Sequence, residues 1–217
     1  MAAKKPVTQQ EDTVENSRRT QAERRKKAEA RMLNAAIHLI AEKGFSGLTL
    51  NEVGERAGYS RGLPAHYFGQ KHALVTEMVA QIIKQFVTNL RQSTTHAHTR
   101  GLSVLLHAAD AYIEGSAQDP IAARAFSVML TEATNHPERF PGIIKLNRQS
   151  AKSFAEHIRA GQESGEIRPQ INADAQAILI LGQLRGTVAQ WLMDTDAISV
   201  ETIRSAFADT LKRSLQA

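Results

Sequence analysis

Apolar residues recur at helical spacing along almost the whole 217-residue chain, and no run of Val, Ile, Thr or Tyr keeps the period of a strand. Ala28, Met32, Ala35, Ala36, Leu39 and Ile40 mark one face of a helix that ends at Lys43-Gly44-Phe45, with Gly44 as its C′ residue. Thr49-Leu50-Asn51-Glu52 has the form of a capping box, with Thr49 as N-cap and Glu52 at N3. It opens a short helix that turns Leu50, Val53 and Ala57 inward. Ser60 is the expected N-cap of a third short helix, finished by Phe68-Gly69. From Lys71 the scale changes: Leu74, Met78, Ile82, Phe86 and Leu90 step by four, which predicts a helix of about twenty residues. Ser93–Arg100 (STTHAHTR) reads as a loop or a frayed end.

Further helices are expected near 101–117 and from Asp119-Pro120, as N-cap and N1, to about 134. After an interruption at Pro137–Pro141 a long helix should reach about Ser164. Two more follow, over roughly 173–194 and from a Ser199 cap to about 214. Residues 1–20 are polar and lack helical period, as a disordered arm does. The expected fold is all-α: a basic arm over 1–22, a small three-helix domain over 23–70 and a larger helical domain over 71–217.

One segment carries more than periodicity. Thr49–Phe68 (TLNEVGERAGYSRGLPAHYF) holds two short helical patterns broken at Gly58, with Gly54 four positions earlier. Two helices that cross closely through a tight turn need a residue there that accepts positive φ, and no bulk where they touch. This is the pattern of a helix-turn-helix over 49–68, a shape that places one helix in the DNA major groove.

Charge adds a partner. Residues 1–72 hold 13 Lys/Arg against 8 Asp/Glu, whereas 73–217 hold 14 of each, so the whole excess of +5 surrounds the candidate motif. A basic face on one small domain suits a polyanion, although basic termini also serve simply as solvated faces. Arg18, Arg19, Arg24, Arg25, Lys26 and Lys27 have both readings, as a solvated face or as an arm that follows the DNA backbone or enters the minor groove. The absence of Cys excludes a disulfide scaffold and thiolate chemistry and suits a reducing cytoplasm. The N-terminus has no apolar core of a secretory signal, and no apolar run approaches the ~18–20 residues that span a bilayer, so no membrane partner is expected.

The segment Leu33–Leu74 resembles the TetR family of bacterial transcriptional repressors. Gly44-Phe45, Thr49, Val53-Gly54, Ala57-Gly58, Ser60, Gly62, Phe68, Lys71 and Leu74 match its pattern, and Leu184-Arg185-Gly186 with Gln190-Trp191-Leu192 matches a signature many members show late in the chain. Two positions depart from it: Pro64 stands where the family has an apolar residue, and Ala65 where it has a Tyr that commonly touches a phosphate. That contact would pass to His66 or Tyr67. With Ser60 as N-cap, Pro64 would fall at N4 and remove the first helical bond, so the recognition helix should start one or two residues later or start irregularly. The resemblance implies a dimer built on the last two long helices, with a ligand-responsive C-terminal domain that sets the spacing of two recognition helices.

The candidate DNA contacts are Thr49 at a helix N-terminus, Ser60, Arg61, Gly62 and Leu63 at the leading end of the recognition helix, His66, Tyr67, and Lys71 as a phosphate ligand. Arg61 could hold guanine O6 and N7 or a phosphate. Phe45, Tyr59 and Phe68 read as core. Gly182 and Gly186 permit close helix approach, at a dimer seam or inside the domain. Phe126, Met129, Phe154, Trp191 and Met193 are candidates for an apolar cavity or plain core, with His107, Tyr112 and His157 as its polar groups.

An enzyme is disfavoured: there is no Gly-rich phosphate loop, nucleophile elbow or His-Glu-x-x-His, no Glu is followed by His three residues on, and no cofactor or metal is expected. The resulting expectation is a DNA-binding regulator, a repressor that binds a palindromic operator as a homodimer and is released by a largely apolar small molecule. The competing reading is a non-sequence-specific or architectural nucleic-acid-binding protein, which would bind random and cognate DNA alike.

Overall fold

The computed structural model describes the backbone of residues 8–93 and 100–217, with side chains described for 20–85, Thr88 and 100–217. Among the described residues it contains nine α-helices and one 3₁₀ turn, at Pro137–Arg139. The first four helices are α1 (Thr8–Lys43), α2 (Leu50–Arg56), α3 (Leu63–Phe68) and α4 (Lys71–Ser93). The larger part adds α5 (Leu102–Gln118), α6 (Pro120–Asn135), α7 (Pro141–Glu163), α8 (Ala173–Trp191) and α9 (Val200–Leu215). Residues 94–99, most of the expected loop, lie outside the described residues, as do the side chains of Phe86, Leu90, Arg18 and Arg19.

The ends follow local chemistry. Thr49 Oγ1 accepts from the Glu52 amide at 3.2 Å, Asp119 Oδ1 from Ala122 at 3.0 Å, and Ser199 Oγ from Thr202 at 3.2 Å. Each satisfies an amide that the first turn leaves without a partner, a contribution of about 1 kcal/mol. Asn172 caps α8 in the same way, through Ala175 at 2.9 Å. Gly44 (φ +71°) closes α1 as expected.

At its other end α1 departs from expectation. The helix continues back to Thr8, across most of the segment read as a disordered arm. Its residues 20–27 are all exposed. The charged, Gln-rich sequence has good helix propensity without an apolar stripe, so periodicity could not reveal it.

Two cores organise the chain. The first joins Met32, Ala36 and Ile40 of α1 with Val53 of α2 and with Leu74 and Met78 of α4. It does not stop at residue 70. Ala125, Met129 and Ala133 of α6 pack into it, followed by Phe140 and Ile143. The Phe140 ring meets that of Phe45 edge-on at 5.5 Å. The second core lies between α5, α7, α8 and α9, around Leu105, Ile158, Ile180, Leu211 and Leu215. Each such fully buried side chain contributes about 1.5–3 kcal/mol of apolar transfer. Arg204 of α9 clamps α5, giving Asp110 two bonds at 2.7 and 2.8 Å and pairing with Glu114.

Candidate functional site

Helices α2 and α3 cross as the sequence requires. Gly58 has φ +77°, and the Tyr59 amide turns back to the Gly54 carbonyl at 2.9 Å. A methyl added at Gly54 would sit 2.5 Å from the Ser60 carbonyl oxygen and 3.2 Å from Pro64 Cδ, so only glycine fits the crossing.

The recognition helix begins later than its expected Ser60 cap. Ser60–Gly62 form a turn, with the Leu63 amide bonded to the Ser60 carbonyl at 3.1 Å, and Gly62 occupies the N-cap without a side-chain bond. Pro64 thereby falls in the first turn, where its missing N–H has no helical partner to lose. It is buried against the crossing, while Ala65 and His66 are exposed.

Of the proposed DNA contacts, Thr49, Ser60, Arg61, Gly62 and His66 are exposed, whereas Leu63, Tyr67 and Lys71 are partly buried. Leu63 and Tyr67 pack on the first core. Lys71 points inward: its Nζ donates to the Phe45 carbonyl at 2.6 Å and lies 4.3 Å from the Phe45 ring centroid. Burial holds its pKa below the usual lysine value. In this arrangement Lys71 ties the start of α4 to the end of α1 rather than presenting a free ammonium.

Several basic residues in and beside the motif are already paired. Lys43 bonds Glu52 at 2.7 Å, Arg56 forks onto Glu42, and Arg61 pairs with Glu55. Among the described residues, Arg24, Arg25, Lys26, Lys27 and Arg31 of α1 form no ion pair, so the uncompensated charge sits on that helix. Arg25 lies 5.5 Å from the Tyr67 ring centroid, a cation–π contact joining α1 to the recognition helix.

A cavity of about 490 Å³ opens behind this domain. Ile37 of α1 and Ile82 and Ile83 of α4 form one wall, and Tyr112 of α5, Phe126 of α6 and Phe154 of α7 line it further. Arg185 of α8 also faces it, with Nη1 bonded to Asn147 Oδ1 at 2.7 Å. Burial lowers the Arg185 pKa and raises that of Tyr112.

Comparison with known proteins accounts for both halves. Residues 32–78 match the family of bacterial regulatory proteins of the tetR type, and residues 101–216 match the C-terminal domain of BetI-type transcriptional repressors. The chain belongs to the TetR family. The transcriptional regulator BetI of Vibrio vulnificus is 22% identical over 188 residues, covering 85% of this chain and 90% of its own. The regulator UidR of Escherichia coli is 25% identical, over 73% of this chain and 79% of its own. A TetR regulator from Chloroflexus aurantiacus superposes with a TM-score of 0.75 at 16% identity, covering 88% and 97% of the two chains. FadR of Bacillus subtilis, solved with stearoyl-CoA, gives 0.73 at 18%, covering 85% and 98%. The protein is a transcriptional regulator of the TetR family and not an enzyme.

Among the expected cavity residues of this TetR regulator, the structure brings together Tyr112, Phe126 and Phe154 only. Met129 is fully buried between α6 and α1, one turn beyond the cavity. Trp191 packs on the second core, near the end of α8. His107 and His157 also lie outside the lining, and burial keeps the His157 pKa below the ordinary histidine value. Met193 is exposed. Residue type signalled apolar character, but not which side of a helix faced the void. Sequence reasoning missed Arg185 as a cavity group, although a charged residue four positions after buried Leu181 was a usable sign.

Proposed function

We propose that this protein is a repressor that binds a two-fold operator as a homodimer in the cytoplasm and is released when a small molecule fills the α4–α8 cavity. The observation that carries the reading is the shared wall. Ile37, Ile82 and Ile83 line the cavity and also belong to, or pack on, the core that carries the helix-turn-helix. A ligand there acts on α1 and α4 together, one bearing the basic face and the other following the recognition helix. Since FadR of Bacillus subtilis was captured with stearoyl-CoA, a largely apolar effector is consistent with this fold.

Exposed Thr49, Ser60, Arg61, Gly62 and His66 are the proposed contacts to bases and phosphates, with Arg25 beside Tyr67 supplying charge where Ala65 replaces the family's tyrosine. Dimerisation draws support from α8. Ile178 and Leu179 are 54% and 57% exposed, and Gly182 and Gly186 meet nothing within 4 Å in the protomer. An open apolar stripe with small residues one turn apart suits a second copy, and two-fold pairing doubles the readout of a palindrome.

Selection of binding sites from random duplexes, followed by anisotropy titration, tests this reading. A shared palindromic sequence bound at least ~10³-fold more tightly than random DNA is expected of a specific regulator. Equal affinity for both, explained by the salt slope alone, would instead establish the architectural reading.

A further inference from the structure

The cavity lining is mixed: apolar side chains stand among uncharged polar ones, and Asp119 and Arg185 are its charged residues among the described ones. Ile37, Ile82, Phe126, Phe154 and Leu181 give it hydrocarbon surface, and Arg185 of α8, bonded to Asn147 of α7, brings a cation to the lining. The Arg185 guanidinium is a fork of five N–H donors that stays charged at neutral pH. Its hydrogen bond to Asn147 neutralises nothing, and among the described residues no carboxylate pairs with it. The one acidic residue in the lining, Asp119, caps α6 through the Ala122 amide and forms no ion pair with Arg185. A half-buried cation without a counter-ion is costly, and an anion placed beside it would be held by paired, charge-assisted bonds. Burial holds the Arg185 pKa down, as expected for a cation that lacks an anionic neighbour.

We propose that the effector is an apolar carboxylate, its hydrocarbon body in the α4–α7 part of the cavity and its carboxylate on Arg185. Among the described residues Arg185 is the only Lys or Arg in the lining, so a single negative charge is matched and a dianion would be left half compensated. This inference rests on the effector reading given above, which concerns the cavity, and adds the charge of its occupant.

The test uses the full-length protein and displacement of the neutral dye N-phenylnaphthylamine by decanoate, decanol and decyltrimethylammonium, which share one hydrocarbon chain. Decanoate should displace the dye at roughly tenfold lower concentration or less than decanol, the ammonium being weakest. In Arg185→Gln the decanoate-to-decanol ratio should fall towards one. The ratio is the readout, and the wild-type series decides the matter even if that variant does not fold. Decanol or the ammonium matching decanoate, decyl phosphate exceeding it, or a preference surviving in Arg185→Gln would overturn the assignment and leave the effector cavity standing. A wild-type protein that binds neither dye nor any of these ligands would remove the effector reading and this inference with it.

Discussion

Replacing Gly54 by Ala probes the contact on which the DNA-reading geometry depends. The new methyl would lie 2.5 Å from the Ser60 carbonyl oxygen, about 1 Å inside an ordinary separation. Arg61 Cα and Pro64 Cδ, each at 3.2 Å, close the other escape routes, and two of the three obstacles are backbone. Overpacking of this kind costs about 1–3 kcal/mol, partly offset by the ~0.5–1 kcal/mol that Ala gains over Gly in a helix. The expected net loss is therefore about 0.5–2 kcal/mol. A larger effect should appear on DNA, because the strain is relieved by moving α3 against α2. Loss of one good base contact, about 1–3 kcal/mol, weakens operator binding by roughly 5- to 150-fold.

Urea denaturation gives the first quantity and anisotropy with the selected operator the second. Gly142→Ala supplies the control, since its position in α7 is exposed and meets nothing within 4 Å. Gly54→Ala with wild-type stability and wild-type operator affinity would refute the argument from the crossing.

Other consequences can be measured on the same material. Arg25→Ala should weaken binding to every DNA sequence and shallow the salt dependence by about one unit of slope per protomer, about two for the dimer, and an unchanged slope would remove it from the phosphate contacts. Lys71→Ala should lower stability by about 1 kcal/mol, after discounting for its partial exposure, while leaving the salt slope unaltered; a shallower slope would restore it as a phosphate ligand. Gly186→Leu should convert a dimer to monomers in sedimentation velocity, and an intact dimer would move the seam away from α8. The lowered pKa of His157 means that the unfolded chain binds a proton more readily. Its contribution is therefore complete above the ordinary value of 6.5 and declines as pH falls from there towards the folded value. Urea melts between pH 7 and 5 should show this decline flattened in His157→Gln, and an identical slope would assign it elsewhere.

The features legible in the sequence were those fixed by neighbours in the chain. Thr49, Asp119 and Ser199 announce helix starts because a cap acts within three residues, and Gly54 with Gly58 announces the crossing because the turn between them is short. Pro64 pointed to a late helix start for the same reason. What escaped depends on tertiary pairing. Met129 of α6 looked like any cavity candidate until α1 was seen to cover it. Lys71 matched a phosphate-binding position, yet the Phe45 carbonyl, 26 residues away, takes its ammonium. The charge on α1 was visible, but not the contact between Arg25 and Tyr67 that brings it to the recognition helix.

The central claim is that operator and cavity are coupled, and coupling is reciprocal. Titration of the selected operator by anisotropy, with and without a saturating ligand that displaces dye from the cavity, tests it most directly when paired with calorimetry of that ligand on free and operator-bound protein. The account predicts that ligand weakens operator binding and that operator weakens ligand binding by the same factor. Operator affinity that stays constant while the cavity is filled would contradict it.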